Sequence, residues 1–176
     1  PIHSSHPFTK KVMLSPDMAN NHALLLSIRP RFADLIFSGK KTVELRRVKP
    51  RVQAGDLVVI YASGATKGMV GAFEVADVVA AAPNSIWRKY NGGSGLTKRE
   101  FDRYFANISV GYAIRIRKFW KIQEPVSLKI LRKRRAGFRP PQSYHYWKLN
   151  ELLQISGEAL SSRLKSRIPI SEPRLN

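Results

Sequence analysis

Cysteine is missing from the 176-residue chain altogether, which excludes disulfides and thiolate metal sites and fits a reducing compartment, the cytoplasm. Nor does any stretch reach the roughly 18 to 20 uninterrupted apolar residues of a membrane span, so no membrane partner is expected. The beginning, Pro1 to Met18, has no continuous apolar segment of the kind a secretory signal carries. HExxH and acidic clusters are absent too, and only 4 histidines occur. His3, His6 and His22 lack a neighbouring carboxylate or thiolate framework, so they read as solvated, and neither a metal nor another cofactor is expected. No internal repeat is visible.

Negative charge is also scarce. Twelve Asp and Glu face 31 Lys and Arg, a formal charge of +19. A surface so one-sided repels itself unless a polyanion shares the load. Nucleic acid is the commonest such partner, and neutralising its phosphates supplies sequence-independent affinity. A merely solvated basic face is the plainer alternative. An anionic membrane surface fits less well, because the basic residues do not share a helix with a broad apolar face.

What is present suffices for one domain with tails: 43% of the residues are hydrophobic. Residues 1–21 read as a polar leader, 22–155 as the domain, and 156–176 as a basic, peripheral C-terminal tail, the whole a monomer. Ala23 to Ile28 has the length of a buried strand. Pro30 suits the first turn of a helix carrying Phe32, Leu35 and Ile36, which Gly39 stops. Thr42 to Arg46 alternates, and Asp56 to Ala62 and Met69 to Val79 read as strands, Gly71 marking a bulge in the second. Pro83 opens a short helix ended by Gly92-Gly93. Thr97 and Glu100 form a capping box for the next helix. Gly111 to Trp120 alternates, with Arg115 and Arg117 on one face. Glu124-Pro125 predicts a break, Val126 to Leu131 and Ser143 to Leu149 predict strands, and Asn150 to Leu153 predicts a helix. Short strands with interspersed helices and a bend-prone long strand indicate an α+β domain around a small, partly open barrel.

Gly39-Lys40-Lys41-Thr42-Val43-Glu44-Leu45-Arg46 fits a G-x-K-x-x-E-x-R signature without a gap. With Ser27-Ile28-Arg29-Pro30, Ile60-Tyr61-Ala62-Ser63 and Pro140-Pro141-Gln142-Ser143-Tyr144 in the same order, residues Leu24 to Leu149 resemble the ASCH family of the PUA-like superfamily. The resemblance implies a mixed or antiparallel PUA-like pseudo-β-barrel flanked by short helices, a cleft, an association with RNA, and hydrolysis in some relatives. Amidase-type relatives carry a Thr nucleophile three residues after the motif lysine; Glu44 stands there in this chain, which puts that mechanism in doubt.

The signature residues make physical sense as a polar cluster. Lys41 follows the helix-ending glycine, where its ammonium can reach a phosphate or a carbonyl. Glu44 and Arg46, two apart on a strand, project to the same side. Glu44 can accept from a base edge or an attacking water, and Arg46 can hold Glu44 or grip phosphate. A structural Glu44–Arg46 ion pair is the alternative. Arg29, Tyr61, Ser63, Gln142, Ser143 and Tyr144 complete the candidate nucleotide cleft, with Tyr144 or Trp147 as a stacking surface. Ser143 and His145 share a strand face, but no acid completes a triad. Trp87 either walls the cleft or belongs to the core. Candidate phosphate contacts are Arg47, Lys67, Arg115, Arg117, Arg132, Lys133, Arg134, Arg135 and Arg139. Two functions follow. The first is a non-catalytic nucleic-acid-binding module, RNA before DNA, whose cleft accommodates a flipped or modified nucleotide. The second is a metal-independent hydrolase, a ribonuclease or an amidase on acylated nucleosides, with Lys41 as electrostatic stabiliser and Glu44 as general base.

Overall fold

The apolar run near the start of the domain becomes a strand buried on both faces. In the computed structural model, which describes residues 22–164, β1 (His22–Ile28) pairs in parallel with β3 (Leu57–Ala62) and antiparallel with β6 (Tyr144–Lys148). Side chains alternate along a strand, so one sequence feeds two cores. Ala23, Leu25, Val59 and Tyr61 join one core, and Leu24, Leu26, Val58 and Ile60 join the other. Between β1 and β3 lie α1 (Pro30–Phe37) and β2 (Val43–Arg46). Helix α1 has Pro at its first turn, as its sequence predicts, and buries Ala33 and Ile36.

A long hairpin forms the centre of the sheet. β4 (Gly68–Ala81) pairs antiparallel with β3 and with β5 (Gly111–Ser127). Its registers shift beside Gly71, where a Cβ would meet the Trp120 carbonyl and the Phe37 ring edge. The expected bulge is there, and the close approach of backbone and ring is its reason. Two helices cover the far end of the hairpin: α2 (Pro83–Ser94) and α3 (Lys98–Tyr104). Thr97 caps α3, and the capping box with Glu100 is complete. Phe101, Phe105 and Ile86 pack against Val43, Leu45 and Ala113 to form a third core.

Four elements differ from the sequence-based expectation. Helix α2 continues through Gly92-Gly93 to Ser94 and ends at Gly95, whose φ of 73° supplies the left-handed turn. β5 does not break at Glu124-Pro125 but runs on to Ser127. The following residues are α4 (Leu128–Arg134), not a strand, because the Ser127 hydroxyl accepts from the Ile130 amide as an N-cap. Beyond α5 (Leu149–Ser156), α6 (Glu158–Leu164) is no peripheral tail: Leu160 and Leu164 are buried in the first core. Residues 1–21 and the rest of the expected tail lie outside the described residues.

The class is α+β, as expected, but the sheet is not a closed barrel. Its order is β2-β5-β4-β3-β1-β6, which leaves β2 and β6 as edges. Side chains, not a backbone ladder, span the gap. Arg46 of β2 donates to the Ser143 hydroxyl beside β6 at 3.1 Å, and the Arg51 amide donates to the Tyr146 hydroxyl at 2.6 Å. Among the described residues no helix is long and apolar enough to cross a membrane.

Candidate functional site

The G-x-K-x-x-E-x-R segment is pinned at both ends before its side chains do anything. Gly39, at φ 74°, ends α1, and the Lys41 amide donates to the Leu35 carbonyl at 2.9 Å. One residue on, the Thr42 amide donates to the Gly93 carbonyl at 2.8 Å, tying the segment to α2. There is no slack here: a Cβ on Gly93 would run into the Thr42 hydroxyl. The Lys41 side chain is therefore directed inward and is only 3% exposed.

Its ammonium has two oxygen partners. One is the Ser94 carbonyl, 2.6 Å away at the C-terminus of α2, where the helix dipole favours a cation. The other is Glu44 Oε2 at 3.2 Å. The second carboxylate oxygen of Glu44 takes Arg46 at 3.1 Å, and Arg46 in turn holds Ser143. The Phe32 ring lies 5.1 Å from the ammonium. The result is one line of contacts: Ser94, Lys41, Glu44, Arg46, Ser143. Glu44 and Arg46 do share a side, and the ion pair between them is formed. Arg46 Nε is buried and has no hydrogen-bond partner, a donor left over on a residue that lines an open cavity.

That cavity, about 480 Å³, opens above the line. Arg29, Arg31, Arg47 and Arg103 stand around it with Lys41 and Arg46, against two acids, Glu44 and Glu100. Glu100 is committed to Arg31 and to the cap of α3. Those hydrogen bonds, the Thr97 amide first and Arg31 next, hold its carboxyl down to about 2. Tyr104 donates to the Leu45 carbonyl at 3.2 Å, and burial raises its phenol above the usual tyrosine range. Arg47 lies over the Tyr104 ring at 5.1 Å. The cleft is thus a basic bowl with a buried ion-pair floor, shaped to take an anion.

Of the nucleotide-cleft candidates, Arg29, Lys41, Glu44 and Arg46 line this cavity, and Ser143 is joined to it through Arg46. Gln142 is exposed beside Ser143. Tyr144 packs half-buried against the second core, edge-on to Tyr146 at 5.6 Å. Two others are elsewhere. Tyr61 is buried in the first core, its hydroxyl unpartnered and its phenol raised by burial. Ser63 ties β3 to β1 by bonding the Ile28 carbonyl at 3.3 Å. Ser143 and His145 do not meet as a catalytic pair: the hydroxyl is bound to Arg46, while His145 lines a different cavity. Trp87 sits in the third core against Phe101.

The phosphate candidates divide in the same way. Arg47 belongs to the cleft. Arg115 is paired with Asp77 and Arg117 with the buried Glu74. Arg134 donates to the Ile155 carbonyl at 2.9 Å, and Arg135 pairs with Glu151 and lies 4.7 Å over the Trp147 ring. Lys67 occupies the β3–β4 turn at φ 40°. Arg132, Lys133 and Arg139 are exposed, with no ion pair among the described residues. The sequence gives no sign that Ser94, Tyr104, Arg31 and Arg103 belong to the site. The α3 residues Arg103 and Tyr104 come into it only because the third core docks that helix beside β2.

Known proteins match this chain in sequence and in fold. The ASCH domain profile matches residues 26–119. An ASCH domain-containing ribonuclease of Zymomonas mobilis is 31% identical over 139 residues, which are 79% of this chain and 93% of the relative. The crystal structure of ASCH from Zymomonas mobilis superposes with a TM-score of 0.71 at 30% identity, covering 76% of this chain and 93% of that one. The large ribosomal subunit protein uL22 of Ureaplasma parvum is 28% identical over 120 residues, though the match spans only 38% of it. Signature, profile match and fold converge: the chain belongs to the ASCH domain family.

Proposed function

We propose that this protein is a cytoplasmic ribonuclease that holds single-stranded RNA in the basic cleft and cleaves its backbone over the Lys41–Glu44–Arg46 floor. The observation that carries the reading is that floor: a buried lysine and a part-buried arginine share one carboxylate beneath a cavity ringed by four further arginines. The Zymomonas mobilis protein that this chain matches over 93% of that protein's length is named a ribonuclease, which supports the same substrate class.

Arg29, Arg31, Arg47 and Arg103 attract the phosphate backbone without regard to sequence. Lys41 and Arg46 then stabilise the negative charge that builds on the reacting phosphoryl oxygens. Being fixed in advance by Ser94, Glu44 and Ser143, they need no reorganisation at that moment. A carboxylate offers about four lone-pair sites, and the two cations occupy one on each oxygen, so Glu44 retains capacity to take the proton of the RNA 2′-hydroxyl as its oxygen bonds to phosphorus. The bond from phosphorus to the 5′-oxygen breaks, and that oxygen leaves with a proton from water in the open cleft.

A second reading has its own support. Glu44 uses both oxygens in ion pairs, which suits a carboxylate that only organises two cations for binding RNA or a flipped, modified nucleotide. Glu44→Gln separates the two, because the amide still accepts hydrogen bonds but cannot serve as a base. The assay incubates wild type and variant with single-stranded RNA and with acylated nucleosides, with and without chelator. We expect cleavage of the RNA by wild type and a fall in turnover of about 10²- to 10⁴-fold in the variant, with RNA affinity retained. Wild type that binds RNA yet leaves it intact would replace the ribonuclease by the binding module.

A further inference from the structure

A second cavity, about 550 Å³, lies at the other end of the same edge strand. The cleft adjoins Ser27 and Ile28 at the end of β1, and Ser143 just before β6. The second cavity adjoins His22 at the start of β1, with His145, Trp147 and Lys148 on β6. The mechanism proposed above uses none of these last four residues.

The chemistry of this cavity matches that of the cleft. Arg135, at the end of α4, lies over the Trp147 ring at 4.7 Å, and Trp147 is supported from behind by Phe138 at 5.9 Å. Glu151 pairs with Arg135 at 3.4 Å and steadies the guanidinium. A guanidinium plane fixed on an aromatic ring is a stacking platform for a base. His22, His145 and Lys148, all exposed, supply donors for phosphate beside it. Next to the cavity, α4 exposes Arg132 and Lys133, neither in an ion pair among the described residues.

We infer that this cavity is a second nucleotide subsite, holding the part of the RNA strand that runs out of the cleft along β6. The inference rests on the RNA reading of the cleft and adds a minimum length to its substrate. From Ser143 to Lys148 is five residues, about 17 Å at about 3.3 Å each. At the roughly 3.4 Å per nucleotide of a stacked strand, that distance separates the subsites by about five nucleotides. A dinucleotide engages the cleft alone, whereas an octanucleotide reaches both.

The test compares the two lengths in the whole protein. Wild type, the double variant His145→Ala/Lys148→Ala and the charge reversal Lys148→Glu are measured for binding and cleavage of a dinucleotide and an octanucleotide of single-stranded RNA. Both side chains replaced are exposed on the strand, and the melting temperature verifies that the fold is kept. In wild type the octanucleotide should bind at least about tenfold tighter than the dinucleotide. Both variants should lose most of that advantage, with Lys148→Glu losing more, and handle the dinucleotide like wild type. Equal affinity for the two lengths in wild type overturns the subsite while leaving the cleft intact. So does an octanucleotide advantage that survives both variants, or a loss that is the same for both lengths. Absence of RNA binding at either length in wild type overturns the cleft reading itself, and the subsite with it.

Discussion

Glu44 compensates two positive charges in a place where neither reaches water freely: the Lys41 side chain is 3% exposed and that of Arg46 is 12%. Removing one partner of a buried pair leaves the other uncompensated, at a cost of about 3–5 kcal/mol. Glu44→Ala is expected to lower unfolding free energy toward the lower end of that range, measured by urea titration. Glu44→Gln keeps the shape and a carbonyl acceptor for one cation but turns its NH2 toward the other, so it should cost less than the truncation while still destabilising. That difference is why the amide and not the alanine suits the turnover assay. Glu100 carries a different expectation. Its folded-state pKa of about 2 lies below the ordinary 4.5, so its contribution to stability is present above 4.5 and is lost as pH falls toward 2. A carboxyl-carbon NMR titration should place its midpoint near 2, and Arg31→Ala should move it upward. An unmoved midpoint would mean that the Arg31 contact is not formed in solution.

At the scale of elements, caps and backbone demands were read correctly, whereas glycine content and apolar content alone misled. The Thr97–Glu100 capping box, Pro30 opening α1, and Gly71 at the bulge are each set by neighbours along the chain or by the needs of backbone geometry. The Gly92-Gly93 pair misleads because glycine weakens a helix without ending it; here Gly93 is needed for its size, against Thr42. Val126 to Leu131 reads as a strand from its apolar content, yet the Ser127 cap redirects the chain into α4. Gly71→Ala tests how strictly the bulge is set. The new methyl would lie 2.6 Å from the Phe37 ring edge and would meet the Trp120 carbonyl from the facing strand. We expect a loss of at least about 2 kcal/mol, seen as a lowered denaturation midpoint.

For the molecule as a whole, net charge was legible and its layout was not. The signature Lys41, Glu44 and Arg46 could be read as one cluster because they are close in sequence. Ser143 could be named as a candidate, though not as the partner of Arg46. Tyr104 and Arg103 carry no local pattern at all, and only the docking of α3 brings them to the cleft. The basic run from Arg132 to Arg135 is likewise not uniform: Arg134 and Arg135 are bonded within the fold, whereas Arg132 and Lys133 have no ion pair among the described residues. Replacing only Arg132 and Lys133 by alanine therefore leaves those internal contacts alone. Affinity for single-stranded RNA should fall with salt at a log–log slope of at least about −3, on about −0.7 per phosphate contact. The double variant should make that slope shallower by about 1 without lowering the melting temperature. A flat salt response in wild type would remove phosphate recognition as the basis of binding.

The bridge from Arg46 to Ser143 joins residues 97 apart, and this separation gives the molecule a timetable. Every strand of the sheet between its two edges has to be in place before the pair can meet, and contacts this distant in sequence form slowly. The α3 cap, three residues wide, requires nothing of the kind. On refolding from denaturant, helical signal should return before RNA cleavage, and in mild denaturant cleavage should vanish while the helices remain. The cleft should be the last thing this chain makes and the first it gives up.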